Sequence, residues 1–138
     1  MDAHPYIVHF PIALIILSFF YQCLTVFMPS RLPAQLTLWA LAPGVLATIP
    51  AVLTGEKAEG SLTDIPEEVH DLIETHELFA NITTWGGMIL LCVWLYLVMK
   101  KVDNKQVQLL LLAFLGLLFA SVCVTGYIGG QLVHVHDI

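Results

Sequence analysis

Charged residues are scarce in this chain of 138 residues: they make up 12 % of the sequence, against 58 % hydrophobic residues. A soluble domain is usually about 25 % charged and about 45–50 % apolar, so the composition excludes an ordinary water-soluble domain. Lys and Arg number only five in a net charge of −6, which excludes the basic surface that nucleic-acid binding requires. With a mean hydropathy of +0.84, the chain is expected to form a single membrane domain over residues 1–138.

Cysteines and catalytic motifs give little support for an enzyme. Cys23, Cys92 and Cys123 all lie in apolar stretches, where cysteine is usually a small apolar filler. The sequence contains no C-x-x-C-H motif, which excludes covalent attachment of a c-type haem. It also shows no nucleophile with a base and no glycine-rich phosphate loop, so we do not expect independent catalysis. Membership of an oxidoreductase complex stays open.

Four stretches without Asp, Glu, Lys or Arg are long enough to cross a bilayer, which takes about 20 apolar residues. They predict spans at approximately residues 6–28, 32–55, 78–99 and 106–130. Backbone groups in lipid must be satisfied internally, so the spans are expected to be helices. Short connections make neighbouring helices antiparallel. The predicted fold is therefore all-α, an integral membrane antiparallel four-helix bundle with an extramembrane loop at 56–77.

The basic residues predict the orientation of this bundle. One end carries Arg31, Lys100, Lys101 and Lys105, whereas the other carries Lys57 and ten of the eleven acidic residues. The positive-inside rule places the basic end in the cytoplasm. Both termini and the loop 56–77 are then expected on the extracytoplasmic side of a bacterial inner membrane, with the chain as a multi-pass protein in contact with lipid.

All six histidines fall at the predicted extracytoplasmic end: His4, His9, His70, His76, His134 and His136. One histidine alone would be an ordinary interfacial residue, but the antiparallel topology gathers all six at one level. Imidazole binds Fe, Cu, Ni and Zn, and it is an axial ligand of haem. The cluster therefore predicts a haem or metal site at this end of the bundle.

The positions of the histidines along the helices suggest which of them pair. His9 lies close to Pro11, and proline is well accepted in the first turn of a helix. His76 begins the third span at a similar depth. We therefore expect His9 and His76 to be the axial ligands of a b-type haem, with His4 and His136 as a second pair or as supporting residues.

Two alternatives to haem stay open at this point. Glu77 and Asp137 lie beside histidines, and imidazole with carboxylate binds non-haem Fe, Mn or Zn, so His4, His136 and Glu77 are alternative metal ligands. Haem propionates favour basic partners, and the predicted outer side offers only Lys57. A structural subunit whose histidines serve only as hydrogen-bonding groups is the other alternative.

Two motifs resemble those of a known family. Residues 4–14, HPYIVHFPIAL, and residues 125–133, TGYIGGQLV, are similar to the HPxxVHFPIAL and TGxxGGxLV signatures of small four-span bacterial membrane proteins of unknown function, domain-of-unknown-function family twenty-two thirty-one. The resemblance covers essentially the whole chain. It implies that His4, His9, His76 and His136 are family positions, and it suggests a histidine-built membrane module that can bind haem.

Together these features predict an electron-transfer subunit with a b-type haem near the extracytoplasmic surface. Because every candidate ligand lies at one end, the chain cannot by itself carry electrons across the bilayer. We expect it instead to link membrane quinol or quinone to a periplasmic redox partner such as a cytochrome, or to anchor a larger redox complex.

Overall fold

The computed structural model describes residues 3–33 and 35–138, which form four α-helices. They are α1 (His4–Phe27), α2 (Leu36–Glu59), α3 (Glu67–Met99) and α4 (Lys105–His134). Each helix is long and apolar enough to cross a membrane, so the prediction of an all-α, four-span protein is confirmed. Asp2 of the predicted acidic end and Ala34 of the predicted second span lie outside the described residues, as does Met1.

All four helices continue beyond the spans predicted from charge at the end that carries both termini, and α3 does so by the most residues. The helix α2 extends to Glu59 and α3 begins at Glu67, so the connection between them is residues 60–66 and not the whole of 56–77. At about 1.5 Å per residue, the 33 residues of α3 span roughly 50 Å, more than the roughly 30 Å of a hydrocarbon core. Its first eleven residues, 67–77, include five acids and form the extramembrane part of this helix.

Local sequence explains where α3 and α4 begin. Glu67 and Glu68 occupy the first turn of α3, where negative charge interacts favourably with the helix dipole. Asn104 is the N-cap of α4, and its side-chain oxygen accepts a hydrogen bond from the backbone N–H of Val107 at 3.0 Å. Both signals lie in the extramembrane segments that precede the apolar stretches.

The four helices form a ring in which α1 and α3 each pack against both α2 and α4. Ile15, Leu41, Val45 and Leu115 are fully buried in the hydrophobic core of the bundle. Close approach of α1 and α2 depends on Gly44, because a Cβ atom there would lie 2.9 Å from Cβ of Leu14. Small residues at such a contact are typical of packed membrane helices.

The outer surface of the bundle is apolar. Trp39, Trp85 and Leu117 are each about two-thirds or more exposed, and many further large apolar side chains point outward. A soluble monomer rarely exposes so much contiguous apolar surface, whereas lipid-facing helices do so routinely.

A buried polar network joins three helices near the end of the bundle that carries Arg31 and Lys105. Gln22 of α1 is 1 % exposed, and its Nε2 donates to Oε1 of Gln108 at 2.8 Å and to the backbone oxygen of Gln108 at 3.1 Å. The hydroxyl of Thr37 donates to Oε1 of Gln22 at 3.1 Å. The network therefore connects α1 with α2 and α4.

Replacing Gln22 with leucine tests the contribution of this network to stability. Interhelical hydrogen bonds in membranes contribute about 0.6 kcal/mol on average and up to about 1.7 kcal/mol, so Gln22→Leu is expected to lower the free energy of unfolding by about 1–2 kcal/mol. Reversible unfolding in detergent micelles measures the change. The control is Gln106→Leu, because Gln106 is exposed at a similar level. Equal effects of the two substitutions would contradict a stabilising network.

Candidate functional site

A cavity of about 590 Å³ lies between the α1–α2 hairpin and the α3–α4 hairpin, at the end of the bundle that carries both termini. Its size is within the roughly 300–1,000 Å³ typical of ligand sites, and most of its wall is apolar. The polar residues that line it are His4, Tyr6, His9, Thr48, Glu56, Glu59, His76, Glu77, Asn81, Thr83, Thr84, Thr125 and His134. The cavity therefore brings four of the six histidines around one space.

Two of these histidines, from different hairpins, lie next to each other in the cavity lining. The ring centroids of His4 in α1 and His76 in α3 are 6.4 Å apart, and the ring planes are nearly perpendicular at 88°. Both residues are half-buried. Because α1 and α3 belong to different hairpins, this pair exists only when the two hairpins pack together.

Hydrogen bonds to Nδ1 hold both rings, and they fix the tautomer of His76. Nδ1 of His76 is 3.1 Å from the backbone oxygen of Thr125, which can only accept, so this nitrogen carries the proton. Nδ1 of His4 is 3.1 Å from Oγ1 of Thr54, whose own proton is donated to the backbone oxygen of Pro50 at 2.8 Å. In the neutral ring of His76 the lone pair therefore resides on Nε2, as in metal-binding histidines that donate through the other ring nitrogen.

Two glycines make room for the two imidazoles. A Cβ atom at Gly55 would lie 3.0 Å from Cε1 of His4, and one at Gly129 would lie 3.1 Å from Cε1 of His76. Each ring thus rests against a glycine on the other helix of its own hairpin. Gly130 differs, because a Cβ atom there would meet no heavy atom within 4 Å.

The structure places His4, and not the predicted His9, beside His76. His9 is exposed at the edge of the cavity, and its Nδ1 is hydrogen-bonded to the backbone oxygen of Pro5 in the same helix. His134 also lines the cavity and is exposed. His4 and His9 both lie on α1, but it is His4, five positions earlier, that lies beside the opposite hairpin.

His136 lies apart from the cavity. The structure therefore does not bring His136 beside His4, as the expected second pair would require. It lines a separate groove on the outside of α3 and α4, with Glu68 and Asp71 among its neighbours. The alternative metal set of His4, His136 and Glu77 is divided in the same way, because Glu77 lines the cavity.

Over residues 3–33 and 35–138, the one group of three or more potential metal ligands close to each other is His70, Asp71 and Glu74. Their ligand atoms lie within 4.8 Å of one another on the exposed surface of α3. Nδ1 of His70 is 3.5 Å from Oε1 of Glu74. This surface group is separate from the residues that line the cavity.

Acidic side chains surround the mouth of the cavity. Glu77 lies in the extramembrane part of α3, before the apolar stretch that begins at Leu78. A hydrogen bond to the carboxyl group of Glu59, together with partial burial and the nearby charges of Glu59, Glu56 and Glu74, raises the pKa of Glu77 to about 7. A proton shared between Glu59 and Glu77 therefore reduces the negative charge at the mouth near neutral pH.

Hydroxyl groups line the inner end of the cavity, and sequence reasoning missed them. The hydroxyls of Thr83 and Ser121 are 2.8 Å apart, and both contact the backbone oxygen of Phe79. The neighbouring Thr84 is 9 % exposed, and its hydroxyl has no hydrogen-bond partner among the described residues. The spacing of Glu77, Asn81 and Thr84, which places them on one face of a helix, is the signal that could have found this end.

A sequence model described as "Predicted membrane protein (DUF2231)" matches residues 1–138. The chain belongs to the DUF2231 family. This confirms the resemblance inferred from the two motifs and agrees with the four apolar helices. Comparisons with curated proteins and with solved structures find no match.

Substituting Gly129 tests whether it positions His76. In Gly129→Ala the new methyl group would lie 3.1 Å from Cε1 of His76, so the ring must shift and its bond to the backbone oxygen of Thr125 weakens. Proton–nitrogen NMR correlation of the imidazoles should show His76 protonated on Nδ1 in the wild type and altered shifts in Gly129→Ala. Gly130→Ala is the matched control and should leave His76 unchanged. Protonation on Nε2 in the wild type would contradict the assignment.

Proposed function

We propose that this DUF2231 protein binds a b-type haem near the extracytoplasmic surface, with Nε2 of His4 and Nε2 of His76 as the axial ligands. The observation that carries the proposal is the pair of neighbouring imidazoles from different hairpins, with centroids 6.4 Å apart and each ring held through Nδ1, in the lining of an apolar cavity. The proposed pair differs from the pair expected from the sequence in having His4 where His9 was expected.

The separation of the two rings fits a shared metal ion. An imidazole nitrogen lies about 2.0–2.1 Å from a bound transition metal, so two rings on opposite sides of one ion have centroids roughly 6 Å apart. The centroids of His4 and His76 are 6.4 Å apart. Perpendicular ring planes are compatible with this arrangement, because the ion can lie in both planes at once.

The number of available ligands favours haem over a bare ion. A porphyrin supplies four nitrogen ligands to its iron, so the protein needs to add only axial ligands. A bare structural zinc ion takes four ligands from the protein. Within the described part of the chain, the one cluster of three potential ligands is on the surface of α3 and not in the cavity. The cavity is thus better suited to haem, which brings four of its own ligands, than to a bare metal ion.

The location of the cavity decides what kind of electron transfer the protein could perform. The cavity lies at the end of the bundle opposite to Arg31, Lys100, Lys101 and Lys105, and the positive-inside rule predicts that this end is extracytoplasmic. A haem there would exchange electrons between membrane quinol and a periplasmic carrier, or it would serve a larger complex in the bacterial inner membrane.

The reduced-minus-oxidised visible spectrum of the purified protein tests the proposal. The wild type should show the α-band of a b-type haem and yield a pyridine haemochrome. His4→Ala and His76→Ala should each lower haem affinity by more than the roughly 10–100-fold that loss of a supporting residue usually costs. His70→Ala and His136→Ala are the matched controls, because both residues lie outside the cavity lining and should retain the spectrum.

Other outcomes identify the alternatives. Retention of haem in His4→Ala together with its loss in His9→Ala would indicate that His9, and not His4, is the ligand. Stoichiometric zinc, copper or iron without porphyrin would overturn haem in favour of a metal site. A colourless, metal-free protein in which the histidine substitutions have no effect would support a structural subunit.

A further inference from the structure

The inner end of the cavity contains a buried hydroxyl with unused hydrogen-bonding capacity. Thr84 follows His76 by eight residues on α3, so it lies about 12 Å deeper in the bundle. It is 9 % exposed and lines the cavity, and its Oγ1 atom has no partner in the part of the chain that the structure describes.

This state is unusual among the threonines of the same helices. A threonine within a helix commonly donates to the backbone oxygen four residues earlier, as Thr83 does to Phe79 and Thr125 does to Ser121. Thr84 makes no such bond. Leaving a buried hydroxyl unpaired is unfavourable, so a ligand that accepts its proton would bind better than one that does not.

A polar stripe on α3 connects the mouth of the cavity with this hydroxyl. Glu77, Asn81 and Thr84 all line the cavity, at intervals of four and three residues that place them on one helical face. Asn81 is exposed although it lies in the apolar stretch of α3. Polar side chains within membrane spans are costly and often mark functional sites.

The opposite wall shows what kind of molecule would fit. The residues of α2 that line the cavity here include Ala51 and Val52, which offer no side-chain hydrogen bonds, and Thr48, whose hydroxyl already donates to the backbone oxygen of Val45. The space is thus suited to an apolar molecule with an oxygen that accepts one hydrogen bond. Thr84 lies six residues, or about 9 Å, inside the apolar stretch that begins at Leu78.

This depth separates two sources of such an oxygen. The ester carbonyls of phospholipids stay at the interface between head groups and hydrocarbon, outside the roughly 30 Å core. A quinone dissolved in the bilayer can carry its ring carbonyls into the core. The depth of Thr84 therefore favours a quinone over a phospholipid.

We propose that the inner end of the cavity binds the ring of a membrane quinone, with a ring carbonyl oxygen accepting a hydrogen bond from Oγ1 of Thr84. The choice of a quinone rests on the proposed electron-transfer function, since a haem at His4 and His76 needs a redox partner in the membrane. Asn81 lies between Thr84 and the mouth of the cavity and would contact the same ligand.

Titration calorimetry with decyl-ubiquinone tests this site in the full-length protein in lipid nanodiscs. Empty nanodiscs measure partitioning of the quinone into lipid, and the wild type should add a saturable component. Thr84→Val keeps the shape of the side chain and removes the hydroxyl, so the dissociation constant is expected to rise about three- to tenfold. Thr84→Ser should restore tight binding. Thr25→Val is the matched control, because Thr25 lies outside the cavity and donates to its own helix.

The thermal unfolding midpoint of Thr84→Val should equal or exceed that of the wild type, because the substitution removes an unpaired buried group. If valine disturbs the packing, Thr84→Ala gives the same test of affinity. No saturable quinone binding by the wild type, or equal affinity in Thr84→Val, would overturn the proposal. The proposal would also be overturned if native mass spectrometry finds a bound phospholipid that quinone does not displace.

The outcome is separable from that of the proposed haem. A wild type that shows the haem spectrum but binds no quinone would refute only the quinone site. A wild type that binds quinone through Thr84 without haem would refute only the haem and leave a quinone-binding membrane protein.

Discussion

The hydrogen bonds to Nδ1 of His4 and His76 are the constraint on which the candidate site depends. They hold each ring against the other helix of its hairpin, and the bond to Thr125 places the lone pair of a neutral His76 on Nε2. Gly55 and Gly129 allow this close contact, because any larger residue would push the ring away. Packing of the two hairpins then brings the two rings to 6.4 Å and forms the cavity between them.

Composition and charge were sufficient to predict the class of fold. A bilayer leaves the backbone few options, so four long apolar stretches meant four helices, and the structure contains them. The helix ends were less predictable. Charged residues mark where a chain leaves the hydrocarbon but not where a helix stops, and α2 and α3 therefore continue in the extramembrane region to Glu59 and from Glu67.

The site was predictable only in part. Antiparallel topology was enough to gather the histidines at one end, but the choice between His4 and His9 depends on how α1 is rotated. Five residues correspond to roughly 140° around a helix. The polar residues Ser18 and Gln22 of α1 are buried and lie on the same helical face as His4, so they are the signal in the sequence that indicates this rotation. The roles of Gly129 and Thr84 depend on contacts between helices, which no local pattern contains.

Electron paramagnetic resonance of the oxidised, purified protein tests the central claim most directly, because the spectrum of ferric haem reports both axial ligands and their mutual orientation. The perpendicular rings of His4 and His76 predict a low-spin signal with the strong anisotropy of crossed imidazole planes. A high-spin signal from iron with a single axial ligand, or the absence of any haem signal, would contradict the account.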